Sequence, residues 1–438
     1  MKGFAVSAAA FLALSGLAAC GSDDSGADGE GSVYFLNWKP EQEEAYKQIA
    51  KEYTEETGVD VKVVTAASGT YEQTLKSEIS KSEAPTLFQV NGPVGLATWN
   101  KYTADITDST IAKELKDPTL ALKGDDDKIY GVPLAVEGYG IVYNEAILND
   151  YFAMDGAKAT SIDEINNFET LKAVADDMQA KKADLGIDGV FASTSLAPGE
   201  EWRWQTHLAN VPVYFEYEAD GVTDKDAIDF TYNEEFKNLF DLYLEDSTVE
   251  KTVTPSKTVT DSMAEFAQGK AAMVQNGNWA WSQVEGVDGN VVKEEDIKFL
   301  PLYMGHEGEE DQGICIGTEA FMAINAKASE ADQKATHDFV EWLFLSDAGK
   351  KHVVEDLGFI APFSNYTDED IPSDPLAKEV STYMSNDDLK TVPWVFQTFP
   401  SQKFKSDFGQ ALGQYASGNQ DWDQVVSIFV DGWAAEAK

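Results

Sequence analysis

The chain has 438 residues, 43% of them hydrophobic, which is enough for two domain-sized cores. Its formal charge is −44, from 33 Lys and Arg against 77 Asp and Glu, so nucleic acid and anionic membrane surfaces are poor partners. Arg203 is the single arginine, whereas sites for phosphates or sugar acids usually draw on several.

Residues 1–19 read as a secretion signal. Lys2 is a minimal basic start, and Phe4 to Leu14 is an uncharged apolar run too short to span a bilayer as a stable helix. The run ends in Leu17-Ala18-Ala19-Cys20, which resembles a bacterial lipobox. That resemblance implies cleavage before Cys20 and a lipid on its thiol; the alternative is cleavage after Ala19 with Cys20 incidental. Residues 20–31 are small, polar and acidic, and read as a flexible tether. Cys315, the other cysteine, lies in an apolar run and reads as an inert buried thiol. No later segment approaches the length of a membrane span.

Val33 to Leu36 is a buried-strand pattern followed by Asn37-Trp38-Lys39. Pro40 suits the first turn of a helix that turns Tyr46, Ile49, Ala50 and Tyr53 inward and stops at Gly58. Val59, Val61 and Val63 alternate as a second strand, so the opening is strand–helix–strand with a right-handed crossover. Trp38 then falls at the carboxyl end of the first strand, as a crevice residue or as packing beneath the helix. Tyr71 to Ser80 reads as a helix, and Pro85 to Val90 as a strand ending in Asn91-Gly92. Asp125-Asp126-Asp127 lacks the alternating ligand spacing of a calcium loop and reads as a solvated turn.

Tyr130 to Leu148 is an apolar run interrupted by Glu137, which sits in Ala135-Val136-Glu137 and needs a partner or water. Ile162 to Ala180 is predicted helical and Gly189 to Ala192 a strand. Glu200-Glu201-Trp202-Arg203-Trp204 alternates aromatics around the only arginine, so that either Trp202 or Trp204 can face a cleft. Before Gly269, Thr260-Asp261 reads as a helix N-cap. Ala271 to Val274 then forms a strand, Asn276-Gly277 a turn, and the turn presents Asn278 and Trp279 at the start of the next helix. Trp279 and Trp281 could equally be core. Phe299 to Pro301 and Gly313 to Asn325 suggest further strands, and Glu330 to Leu345 an amphipathic helix with Ala335, Phe339, Trp342 and Leu343 inward. His207, His306, His337 and His352 show no metal-ligand spacing.

The run from Gly269 to Trp281 resembles the signature of the extracellular solute-binding proteins of ABC importers, the group that includes maltose- and oligosaccharide-binding proteins. Tyr130 to Leu148, Ser346 to Gly349, Gly358 to Pro362 and Gln414 to Trp433 extend the similarity over nearly the whole mature chain. The resemblance implies an α/β fold of two periplasmic-binding-protein-like lobes with three hinge crossings and a cleft between them. It divides the chain into an N-terminal lobe of residues 32–136 plus 316–361 and a C-terminal lobe of residues 137–315 plus 362–438. It further implies a sugar stacked on Trp279, a carboxylate contact from Glu137, polar contacts from Gln89 and Asn91, and another stacking aromatic in the stretch that holds Trp394 and Phe396. Trp38, Trp202, Arg203 and Asn278 complete the expected site. The implied partners are a neutral sugar and a membrane permease with its ATPase, with no cofactor and a monomeric protein anchored on the outer face of the cytoplasmic membrane. A secreted glycoside hydrolase using Glu137 with Glu200 or Glu201, or a surface sugar sensor or adhesin, is the alternative.

Overall fold

The computed structural model describes residues 31–437 apart from 68–69, 368 and 371. The expected signal segment, Cys20 and all but the last residue of the tether lie outside the described residues. Among the described residues no helix is long and apolar enough to cross a membrane.

Among the described residues twelve strands form two sheets. The strands are β1 (Val33–Asn37), β2 (Val61–Thr65), β3 (Leu87–Asn91), β4 (Leu122–Lys123), β5 (Ile129–Pro133) and β6 (Glu137–Asn144). They continue as β7 (Gly189–Phe191), β8 (Ala271–Gly277), β9 (Ile297–Leu300), β10 (Gln312–Gly317), β11 (Ala320–Ile324) and β12 (Lys390–Pro393). The first sheet has the order β2-β1-β3-β11-β5-β4, parallel through β2, β1 and β3 and antiparallel beyond. The second has the order β12-β10-β6-β8-β7, with β9 also paired to β6.

Each sheet is covered on both faces, because alternate residues of a strand point opposite ways. In β1, Val33 and Phe35 join one core with the helices Glu43–Thr57 and Glu330–Leu345, while Leu36 joins another with Leu75, Leu96 and Trp99. In β6, Tyr139, Ile141 and Tyr143 enter the largest aromatic core and Val142 the opposite one. The helix Glu43–Thr57 buries Tyr46, Ile49, Ala50 and Tyr53 and ends at Gly58 with φ 81°, as its apolar spacing predicts.

The chain passes between the lobes after β5, between β10 and β11, and between Tyr366, which packs in the first lobe, and Leu376, which packs in the second. Ile316 and Gly317 pair with β6, and Phe363 and Tyr366 pack with the first lobe. Differences from the expected elements are local. The helix Val259–Ala267 is capped by Thr258, whose hydroxyl accepts from Asp261 N while the Asp261 carboxylate accepts from Thr258 N; the expected cap at Thr260 lies two residues inside, in the first turn. Asn276 and Gly277 are not a turn but the end of β8, held by register with Gly140 and Tyr139 of β6. Asp125 to Asp127 form the turn between β4 and β5, where Asp126 accepts from Tyr130. Cys315 is fully buried, and burial pushes its thiol up to about 12.

Candidate ligand-binding cleft

The polar and aromatic residues of interest gather where β1, β3, β8 and β12 end and where the chain crosses between the sheets. Asn37, fully buried at the end of β1, shapes the first of these ends. Its Oδ1 accepts from Lys39 N at 3.0 Å and its Nδ2 donates to Lys39 O at 2.8 Å, which fixes the Trp38-Lys39 turn. Trp38 N donates to Gln89 Oε1 at 2.7 Å, tying the ends of β1 and β3 together. The Trp38 ring stands edge-on to Tyr71, 5.4 Å between centroids. Asn91 closes β3 at the entry to the helix Gly92–Trp99, and Gly92 abuts Gln397 of the other lobe.

Lys39 reaches across to the second lobe. Its Nζ lies 2.7 Å from Glu137 Oε1 at the first residue of β6, 4.0 Å from Glu41 Oε1, and 5.6 Å from the centroid of the Trp279 ring. Burial works to lower the Lys39 pKa, but Glu137, Glu41 and Glu319 outweigh it and hold the ammonium above its ordinary value. Burial raises Glu41 despite the neighbouring Lys39. This is a buried, hydrogen-bonded charge pair whose partners come from opposite sides of the first crossing.

Trp279 precedes the helix Ala280–Glu285 and lies half-buried with its ring over Gly277. A Cβ on Gly277 would come within 2.2 Å of that ring, so only glycine lets the indole lie there. Trp394 is seated in the same way on Gly317, where a Cβ would come within 2.5 Å. Between the two indoles stands His207, at the end of a π-helical turn (Arg203–Leu208). It stacks on Tyr139 at 4.2 Å and touches Trp202, Trp279, Trp394 and Phe396 at 4.9 to 6.0 Å. Burial, then Arg203 and Lys405, hold His207 well below its usual value, so it is a neutral ring among aromatics. π-helical turns often mark functional sites.

Arg203 lies 4.0 Å over the Trp202 ring and donates from Nη2 to Asn276 Oδ1 at 3.1 Å. Burial lowers its pKa to about 9. Trp202 meets Trp279 at 6.0 Å, whereas Trp204 packs inward on Phe240 and Tyr243; Trp202 is therefore the cleft residue of the pair. Asn278 is engaged in the frame: its Oδ1 accepts from Gly138 N and its own N donates to Gly138 O, both at 2.9 Å. Trp281 packs in the core. Among the described residues Gln89 Nε2, Arg203 Nη1, Trp279 Nε1 and Trp394 Nε1 are buried donors without a protein partner, and His207 Nδ1 and Thr318 Oγ1 are likewise unpaired.

Of the residues expected from sequence, Glu137, Trp202, Arg203, Trp279 and Trp394 come together around His207 and Lys39. Gln89 and Trp38 pair at the first-lobe edge, Asn91 stands beside them, and Asn278 serves the hinge backbone. Sequence reasoning passed over Lys39, Tyr139 and His207 as site residues. Lys39 adjoins Trp38 and His207 lies three residues from Trp204, but nothing local announces Glu137, 98 residues from Lys39, or Tyr139, 68 residues from His207.

The geometry is that of a two-lobe binding cleft, and comparison with known proteins agrees. The family described as bacterial extracellular solute-binding protein matches residues 48–379. The chain belongs to that family. It is 23% identical over 383 residues to a multiple sugar-binding protein of Streptococcus mutans, covering 83% of each chain. It is 30% identical over 149 residues to the maltodextrin-binding protein MdxE of Bacillus subtilis, covering 34% of this chain and 35% of that one. Among solved structures it superposes on a chitin oligosaccharide binding protein with TM-score 0.73, and on the solute-binding protein RafE in complex with raffinose with TM-score 0.70. Each is 18% identical and covers 93% of this chain and 100% of the other, which establishes the two-lobe fold.

Proposed function

We propose that this chain is the capture component of a carbohydrate importer: it binds a neutral oligosaccharide between its lobes, closes on it about the crossings, and hands it to a membrane permease driven by an ATPase. The observation that carries the reading is the set of buried N–H donors on Gln89, Arg203, Trp279 and Trp394, together with the Trp202 and Trp279 rings 6.0 Å apart. A sugar offers apolar C–H faces to indoles and many hydroxyl oxygens to such donors. The names of the relatives, which bind multiple sugars, maltodextrin and raffinose, support the same class. Delivery to a permease rests on family membership, and attachment at Cys20 on the lipobox resemblance. The protein acts as a monomer without a cofactor.

Binding rather than hydrolysis is favoured because the candidate carboxylates are already engaged. Glu137 pairs with Lys39, Glu200 accepts from Val259 N at 2.6 Å, and Glu201 accepts from Gly199 N at 2.7 Å. Calorimetry against raffinose, stachyose, maltotriose and chitin oligosaccharides, with product analysis after long incubation, tests the reading. Saturable binding of at least one neutral sugar without products is the expected result. Failure of the whole panel, or release of shorter sugars, would overturn it. Cys20→Ala should move the protein from the membrane fraction to the medium or leave it uncleaved; an unmodified thiol at Cys20 in protein isolated from cells would end the anchor.

A further inference from the structure

Lys39 is a charged feature of the cleft that the sugar-binding reading does not use. Its ammonium is only 7% exposed with its stem, and three groups that would welcome a ligand cation surround it. These are the Glu137 carboxylate at 2.7 Å, Glu41 at 4.0 Å, and the face of Trp279 at 5.6 Å. An indole face with carboxylates beside it is how proteins hold ammonium groups. Here the protein supplies the ammonium itself, from a turn whose backbone Asn37 grips on both sides.

We infer that Lys39 sets the charge class of the ligand: by occupying the cation position between Trp279 and Glu137, it makes the cleft accept neutral sugars and turn away amino sugars. This rests on the carbohydrate-binding reading above and extends it to specificity. Discrimination works by repulsion as well as attraction. A sugar bearing an ammonium on the Trp279 face would meet Lys39 at contact distance, with Glu137 already neutralised. A neutral sugar meets no such opposition. Without Lys39, Glu137 would be a buried carboxylate with no cation, which is costly until one is provided. A cationic ligand would then provide it.

The test compares glucosamine with glucose on wild type, Lys39→Met, Lys39→Gln and Lys39→Arg, using ligand-detected NMR and thermal midpoints. Both neutral variants should bind glucosamine at least tenfold more tightly than wild type does and more tightly than they bind glucose. Glucosamine should also raise their midpoints. Lys39→Arg should show no such gain, and adding Glu137→Gln to Lys39→Met should abolish it. Two neutral variants guard against one that misfolds, and circular dichroism identifies it. If the folded neutral variants gain nothing for glucosamine over glucose, or if Lys39→Arg gains as much, Lys39 does not set charge class. That outcome is distinct from failure of the carbohydrate reading, which is decided by wild type against the neutral panel.

Discussion

At the residue scale, Trp279 is half-buried and packs against the largest aromatic core, so a sugar platform and a packing residue predict two separable kinds of damage. Trp279→Ala removes an aromatic platform whose loss should cost about 2 kcal/mol or more of sugar binding, roughly thirtyfold in affinity. A core tryptophan would instead lower folding stability by about 3–5 kcal/mol. Calorimetric affinity and thermal midpoint on the same variant should show lost binding with a small midpoint change. A large fall in midpoint with intact affinity would remove Trp279 from the site. Gly277 provides an independent route to the same platform. Because its missing Cβ is where the indole lies, Gly277→Ala should displace Trp279 and weaken sugar binding at least tenfold although no sugar-contacting group has been altered. Normal affinity in that variant would mean that the ring can lie elsewhere without consequence.

Individual elements show what a sequence can and cannot disclose. The helices Glu43–Thr57 and Glu330–Leu345 were legible in the main, since a 3.6-residue apolar period and a stop such as Gly58 are local signals, although Pro40 to Gln42 form a separate short turn and Trp342 is only partly buried. The end of β8 was not. Asn276-Gly277 has the composition of a turn, and only its register against Tyr139 and Gly140, more than a hundred residues earlier, keeps it in the strand. The site divides along the same line. Glu137 stood out as a charge in an apolar run, and the family resemblance pointed to Trp279 and Trp394, whereas Lys39 and His207 acquire their roles from neighbours on other elements. Asp246 makes the element-scale point energetically. It closes the helix Asn233–Glu245, where the backbone dipole is negative, and burial followed by the nearby Asp176 raises its carboxyl to about 7. A carboxylic acid whose folded pKa is raised leaves stability intact below the unfolded value and erodes it as pH rises to the folded one. The interval from 3.8 to about 7 corresponds to at most about 4 kcal/mol, fully lost above pH 7. Asp246→Asn should therefore raise the thermal midpoint at pH 8 and leave it nearly unchanged at pH 4. An equal gain at both values would show that ionisation of Asp246 is not the cause.

On the scale of the whole molecule, the expected behaviour is closure. Contacts between the lobes include Lys39 with Glu137 and Trp279, and Gly92 with Gln397. The unliganded protein should sample open forms, as hinged two-lobe proteins do. A sugar shifts that balance only through contacts that differ between the two states. A sugar held by the first-lobe donor on Gln89 and by the second-lobe donors on Arg203, Trp279 and Trp394 at once would favour the closed state. The prediction is a radius of gyration that falls on adding a sugar which binds, measured by small-angle scattering at saturation. Lys39→Met should enlarge the unliganded radius by removing the charged contact across the crossing. If the radius is the same with and without a bound sugar, the lobes do not close on their ligand, and the donors of the two lobes must be brought to it by side-chain movement alone.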